Sequence, residues 1–580
     1  MFCRALLIAG VIATAYCLAY GAYLYPWPAA IVGAIALATQ LKRHGAALFS
    51  HGTARWARPS DLERAGMFGK TGINLGRIVT SRPPFWRSLR ELFMWSLPHS
   101  DACEAFVMSM RKLQPQSNVK EVRMNPVHTA VFAPTGVGKG VSLVIPFLLE
   151  CPDSCVVIDP KGENAKLTAD PRRKMGHKVV ILDPFKVVTA TPDTFNPLSV
   201  IDEASPLALD DCRAIAKEMV VRTGMEPDQH WNDNAESLIA AMSAAALFME
   251  GEHRSVQTVR ALLSDTTRRD FVLGKMRESS DWGGMLARLG SQIANLKDKE
   301  LNGVLSTANR HTAFMDTLPI AESTKASSFD PAELRKGKVT VYLILPPEYL
   351  RSQSALLRLW IGSMLRACVK AGAGESNKVH FVLDEAASLG RLEVLDDAVD
   401  KYRGYGVRLQ FYYQSIGQLK KCWGNDGGDQ TLLSNTAQVF FGVNDHQTAE
   451  YVSNRLGEET IVVESGGTST GGSSQHDKRT GDGSTSTSWN ANSNWSQIAR
   501  RLLKPEEVTA LNQRIAVTFY PGVPPICTAL VRYYETRGNS RWRRLRIKAE
   551  VWLAALSLLA LSATVGVWMT AVLIPQWRMR

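Results

Sequence analysis

Six strand-length runs constrain this chain more than any other feature: SCVVIDP (154–160), KVVILDP (178–184), KVTVYLILP (338–346), KVHFVLDEA (378–386), VRLQFYYQS (407–415) and AQVFFGVN (437–444). They are mostly continuous apolar stretches, not alternating ones. A strand with one wet face alternates; a continuous one is covered on both faces, as in a parallel sheet flanked by helices. Helical segments fall between many of the runs, which predicts an α/β core with a mainly parallel sheet. RIAVTFYPG (514–522) and CTALVRYYE (527–535) lie close together and predict an antiparallel pair finishing that sheet.

From about Asp202 to Arg335 strand signals vanish and helix-forming runs take over, such as AESLIAAMSAAALFME (235–250) and SVQTVRALLSD (255–265). This predicts an inserted all-α domain over 205–335, splitting the α/β domain into 121–204 and 336–540. Within the second piece, 465–496 is rich in Gly, Ser, Thr and Asn with few aliphatics, and reads as a mobile loop.

Both ends are apolar. Ala5 to Leu41 carries no charge and is broken by Pro26-Trp27-Pro28. A spanning helix takes roughly 20 apolar residues, so 1–45 reads as a membrane anchor, either one span or a short hairpin. Lys42, Arg43, Arg55 and Arg58 follow it and place the bulk of the chain in the cytoplasm. Residues 46–120 are a linker and the start of the cytoplasmic body. Val551 to Trp577 is again uncharged and follows Arg541, Arg543, Arg544, Arg546 and Lys548, which predicts a C-terminal transmembrane segment over 551–577. The net charge of +12 suits a polyanion or an anionic membrane surface. None of the nine cysteines forms a Cys-x-x-Cys pair with partners at zinc spacing. The nearest two, Cys151 and Cys155, flank a turn, and all read as reduced thiols.

APTGVGKGV (133–141) is a near match to the phosphate-binding loop Gly-x-x-x-x-Gly-Lys-Ser/Thr, with Ala133 for the first Gly and Gly140 for the hydroxyl residue. The apolar run VHTAVFA (127–133) precedes it, and Val141, Leu143, Val144 and Ile145 open a buried helix. That context converges backbone N–H groups on an anion at the helix N-terminus. Pro134, Thr135, Gly136, Val137, Gly138, Gly140 and Val141 would form the cradle, and Lys139 would meet the terminal phosphates. A partner motif comes later: VHFVLDEA ends a strand in Asp384 and Glu385. Asp384 suits Mg²⁺, and Glu385 suits the orientation of an attacking water. Gln414, at the carboxyl end of the next strand, suits a γ-phosphate sensor. A guanine-reading Asn-Lys-x-Asp motif is absent, and so is a flanked ABC-type signature.

APTGVGKGV, VVIDPKGENAKLTA, TFNPLSVID, HWNDNAESLI, VLDEAASLGRL and QSIGQLKKCWG resemble, in order, the motifs of type IV secretion coupling proteins, the TraG-like conjugative DNA transfer ATPases. The resemblance runs from about Ser50 to beyond Leu511. In that family the loop commonly reads Gly-Lys-Gly, so Gly140 is a family trait; Ser142 and Thr135 are both candidates for the metal-supporting hydroxyl. The resemblance implies a RecA-like P-loop NTPase core with an inserted all-α domain and a membrane anchor. It further implies ATP and Mg²⁺ as ligands, a homo-hexameric ring at the inner membrane, and partners among single- or double-stranded DNA, relaxase and secretion-channel components. Arg403 resembles the position of an arginine finger acting on a neighbouring subunit, with Arg408 as rival. A substrate receptor with weak or no motor activity is the alternative. The compact N-terminal hairpin and the C-terminal apolar segment depart from the family pattern.

Overall fold

The computed structural model describes residues 52–69, 71–79, 121–222, 228–249, 253–424, 427–476 and 483–537. The expected membrane segments 1–45 and 551–577, and most of 46–120, lie outside the described residues. Among the described residues no helix is long and apolar enough to cross a membrane.

The described residues contain thirteen strands: β1 (Ile73–Ile78), β2 (Glu121–Met124), β3 (His128–Phe132), β4 (Ser154–Ile158), β5 (Lys178–Leu182), β6 (Val339–Leu343), β7 (Val379–Asp384), β8 (Val407–Tyr413), β9 (Thr436–Phe441), β10 (Glu458–His476), β11 (Gly483–Arg501), β12 (Ile515–Phe519) and β13 (Ile526–Ala529). Eleven form one sheet in the order β2-β1-β13-β12-β9-β3-β8-β7-β4-β6-β5. From β9 to β5 all pairings are parallel; from β9 to β2 they are antiparallel. Every residue of β3, β4, β6, β8 and β9 is buried, as continuous apolar runs require of a sheet covered on both faces. The expected antiparallel pair is β12–β13, with Val517 opposite Cys527.

Between β5 and β6 the described chain is helical. His230–Leu247 buries twelve of its residues, half of them alanine, against the helices Ala208–Met219 and Asp298–Thr312. The helical segment belongs to the same compact unit as the sheet. Glu218, fully buried, pairs there with Arg366 on the helix Ser354–Lys370 and crosses that helix at Gly362. A Cβ at Gly362 would sit 1.7 Å from the Glu218 carboxylate, so no other residue fits without repacking.

Residues 446–510 form, with 52–56, a second compact unit, where the sequence reading ran one domain through 336–540. Its helices are His446–Leu456 and Pro505–Thr509. Within the stretch read as a loop, 465–476 and 483–496 are instead paired strands: β10 and β11 stay in register from Glu458↔Arg501 to His476↔Gly483. The ladder is made of backbone N–H and C=O groups, which every residue here carries. Apolar periodicity reports burial of side chains, so a two-stranded ribbon of Ser, Thr, Asn and Gly leaves no such signal.

Candidate active site

Parallel register alone gathers one row of residues at the carboxyl edge of the sheet. Phe132 ending β3 is opposite Tyr413 of β8, Tyr412 is opposite Asp384 of β7, and Leu383 is opposite Ile158 of β4. The next residues along are Ala133, Gln414, Glu385 and Asp159. Ala133 is tied down where β3 ends, its N–H donating to Tyr413 O at 3.0 Å.

The loop after β3 turns through Gly136 (φ 87°) and Gly138 (φ 96°), conformations that side chains resist. Val137 between them is buried against Gly442 past the end of β9, where a Cβ would come within 2.7 Å of it. A Cβ on Gly136 or Gly140 would meet nothing within 4 Å, so the loop keeps open room beside it. The chain then enters a wide helical turn, Gly140–Val144, and the helix Ile145–Glu150. Thr135 is exposed, whereas Ser142 is buried inside that first turn.

Lys139 Nζ donates to Ala133 O at 2.8 Å. Burial lowers its pKa, and the facing charges of Asp384 and Glu385 oppose that shift. Asp384 moves the other way: burial raises its carboxyl, while Lys139 and a hydrogen bond from Asn164 pull it down. Glu385 sits in the left-handed region (φ 90°, ψ 49°), an uncommon conformation for a non-glycine residue. Its Oε1 accepts from Gln414 Nε2 and Gln418 Nε2, each at 3.4 Å. Gln418 Oε1 in turn accepts from Gln414 N at 2.7 Å.

Lys139, Asp384, Glu385 and Gln414 therefore meet, as the sequence predicts. Arg403 does not join them. It stands just before β8, at the opposite edge of the sheet, with its side chain 68% exposed and a loose pairing to Glu375 at 3.8 Å. Arg408 is no finger in this fold: it is buried, bonded to Arg403 O, Val407 O and Glu375.

Sequence reasoning gave no role to Asp159, Asn164 or Gln418. Asp159 is buried beside Asp384, and burial pushes its carboxyl up to about 6 despite hydrogen bonds from the Ala165 and Asn164 amides. Its signal was a strand ending in an acid, the same pattern that marked Asp384. Gln418 lies four residues beyond Gln414, in the first turn of the helix Ile416–Trp423.

Asp384 and Glu385 face Lys139, and Asp159 is buried beside Asp384, so the site offers carboxylate oxygens of the kind a hard cation takes. The residues fit Mg²⁺ held beside a phosphate.

The family described as "Type IV secretory system Conjugative DNA transfer" matches residues 55–558. The conjugal transfer protein TraG of Rhizobium radiobacter is 29% identical over 410 residues, 69% of this chain and 61% of that protein. The type IV secretion system-coupling protein VirD4 of Bartonella quintana (strain Toulouse) is 28% identical over 424 residues, 71% of this chain and 63% of that one. The match thus spans about three fifths of these relatives' length. Among solved structures, the plasmid coupling protein TrwB in complex with ADP and Mg²⁺ superposes with a TM-score of 0.53 at 18% identity, covering 70% of this chain and 86% of that one; the likeness is one of fold. With the family's match running over most of its length, the chain belongs to the type IV secretory system conjugative DNA transfer family.

Proposed function

We propose that this chain is an ATP-hydrolysing coupling protein that recruits a relaxase–DNA complex, protein substrates or both and drives them toward a type IV secretion channel. The observation that carries the reading is the meeting of Lys139, Asp384, Glu385 and Gln414 at one edge of the sheet, beside an open glycine loop. The TrwB structure with ADP and Mg²⁺ supports it by sharing the fold.

In this reading Lys139 leaves Ala133 O for the terminal phosphates of ATP. Asp384 holds Mg²⁺, with Ser142 or Thr135 as the hydroxyl partner; the ion would neutralise charge building on the phosphates. Glu385, kept in place by Gln414 and Gln418, takes a proton from the attacking water. Gln414 links that carboxylate to the phosphate end of the site. Arg403, exposed and remote from its own loop, acts on the neighbouring copy in a homo-hexameric ring. The +12 charge suits a DNA-lined channel, and the apolar ends suit anchorage in the inner membrane with the body cytoplasmic.

The test is ATP turnover by the purified chain with and without DNA. Turnover raised several-fold by DNA and lost in Lys139→Ala is the expected result. Slow turnover indifferent to DNA would sink the motor and leave a substrate receptor.

A further inference from the structure

The amino edge of the sheet, at the opposite ends of β4 and β7 from the acidic row, carries a second cluster. Cys151 Sγ, an Asp153 carboxylate oxygen and a His380 ring nitrogen all lie within 4.8 Å of one another. Cys151 and Asp153 belong to the turn that feeds β4, and His380 is the second residue of β7, opposite Cys155. We propose that these three side chains form a binding site for a zinc-class divalent cation.

Spacing supports the set. In a tetrahedral ion with bonds of about 2.0–2.3 Å, neighbouring ligand atoms stand roughly 3.3–3.8 Å apart. His380 Nε2 and Asp153 Oδ2 are already at 3.3 Å. The ligand atoms lie within 4.8 Å of one another, so the sulfur needs a shift of about 1.3 Å at most to complete the face. A thiolate, an imidazole and a carboxylate together favour Zn²⁺ over Mg²⁺ or Ca²⁺, which take oxygen ligands. Three protein ligands leave a fourth position for water.

The turn that presents Cys151 and Asp153 is built, not loose. Arg172, fully buried, donates to the carbonyls of Leu148, Cys151 and Asp153 at 2.7–2.8 Å and to Thr340 Oγ1 at 2.6 Å. One guanidinium thus fixes the backbone on both sides of Pro152. Phe147 packs edge-on to the His380 ring, centroids 5.0 Å apart, and sets its plane. Access remains: the Asp153 side chain is 30% exposed and that of His380 11%. Cys155 stays outside the set, its sulfur 3.4 Å from Arg172 Nη2. An ion here would tie the entry of β4 to that of β7, the two strands whose far ends carry Asp159 and Asp384.

The probe is Co²⁺ alone, titrated into the full-length, chelator-stripped protein in detergent, with zinc added afterwards. One equivalent should give a thiolate-to-cobalt absorption band that zinc removes. Cys151→Ser should abolish the band, and His380→Gln and Asp153→Asn should each weaken binding by about tenfold or more. Cys422→Ser should change nothing. No band, or a band that survives Cys151→Ser, overturns the site. Circular dichroism shows which variants are folded, and if Cys151→Ser is not, full-strength binding by His380→Gln and Asp153→Asn overturns it equally. None of these readings depends on nucleotide.

Discussion

Glu385 pays a conformational penalty at the position where the proposed chemistry needs it. At φ 90°, ψ 49° an L residue carries strain of order 1–2 kcal/mol that glycine does not. Glycine loses about 0.4–1 kcal/mol through the greater freedom of its unfolded chain. Comparing Glu385→Gly with Glu385→Ala isolates that backbone term, because both remove the same carboxylate and the same two long hydrogen bonds at 3.4 Å. Both also remove a charge that adds to burial in raising the carboxyl of neighbouring Asp384. The expected order is Glu385→Gly more stable than Glu385→Ala by about 1 kcal/mol. Neither should hydrolyse ATP. The assay is thermal and denaturant unfolding of the two variants side by side, where 1 kcal/mol shifts Tm by about 1 °C in a body of this size. Unstrained backbone would reverse the order, since the entropic term alone puts alanine ahead. Equal or greater stability of Glu385→Ala therefore refutes the strain.

Lys139→Ala should lose ATP binding in equilibrium dialysis, because no other cation is placed in the loop; near-normal retention would remove the phosphate-loop reading. Arg403→Ala should bind ATP yet turn it over about a thousandfold more slowly, and mixing it with Lys139→Ala chains should restore activity. Mixed rings without rescue would leave Arg403 a surface cation. Asp159, raised from 3.8 to about 6, keeps its proton in the folded state where the unfolded chain has lost it. Its contribution to stability is therefore present below about pH 4 and lost as pH rises to about 6, by at most about 3 kcal/mol. Asp159→Asn should flatten that part of the urea-stability profile, and an unchanged slope would assign it to other groups. A reporter fused after Arg580 should be active only on the side of the membrane opposite the motor; cytoplasmic activity would rule out a C-terminal span.

The order of these strands along the chain and their burial were legible in the sequence, because a strand covered on both faces is mostly apolar along its length. Lys139, Asp384, Glu385 and Gln414 were legible for a related reason: each ends or follows a buried strand, and parallel strands end at one edge. The pairing of β10 and β11 was not, since backbone pairing needs no apolar pattern. Nor was the choice between Arg403 and Arg408, which differ by five positions; only packing shows one exposed and the other buried beneath Glu375. Cysteine spacing by itself gave no metal site, because the third ligand, His380, lies 227 residues from Asp153 and reaches it only through the pairing of β4 with β7. Local chemistry is written in neighbouring residues. Which distant side chains share a site is decided by register and by the packing that holds it.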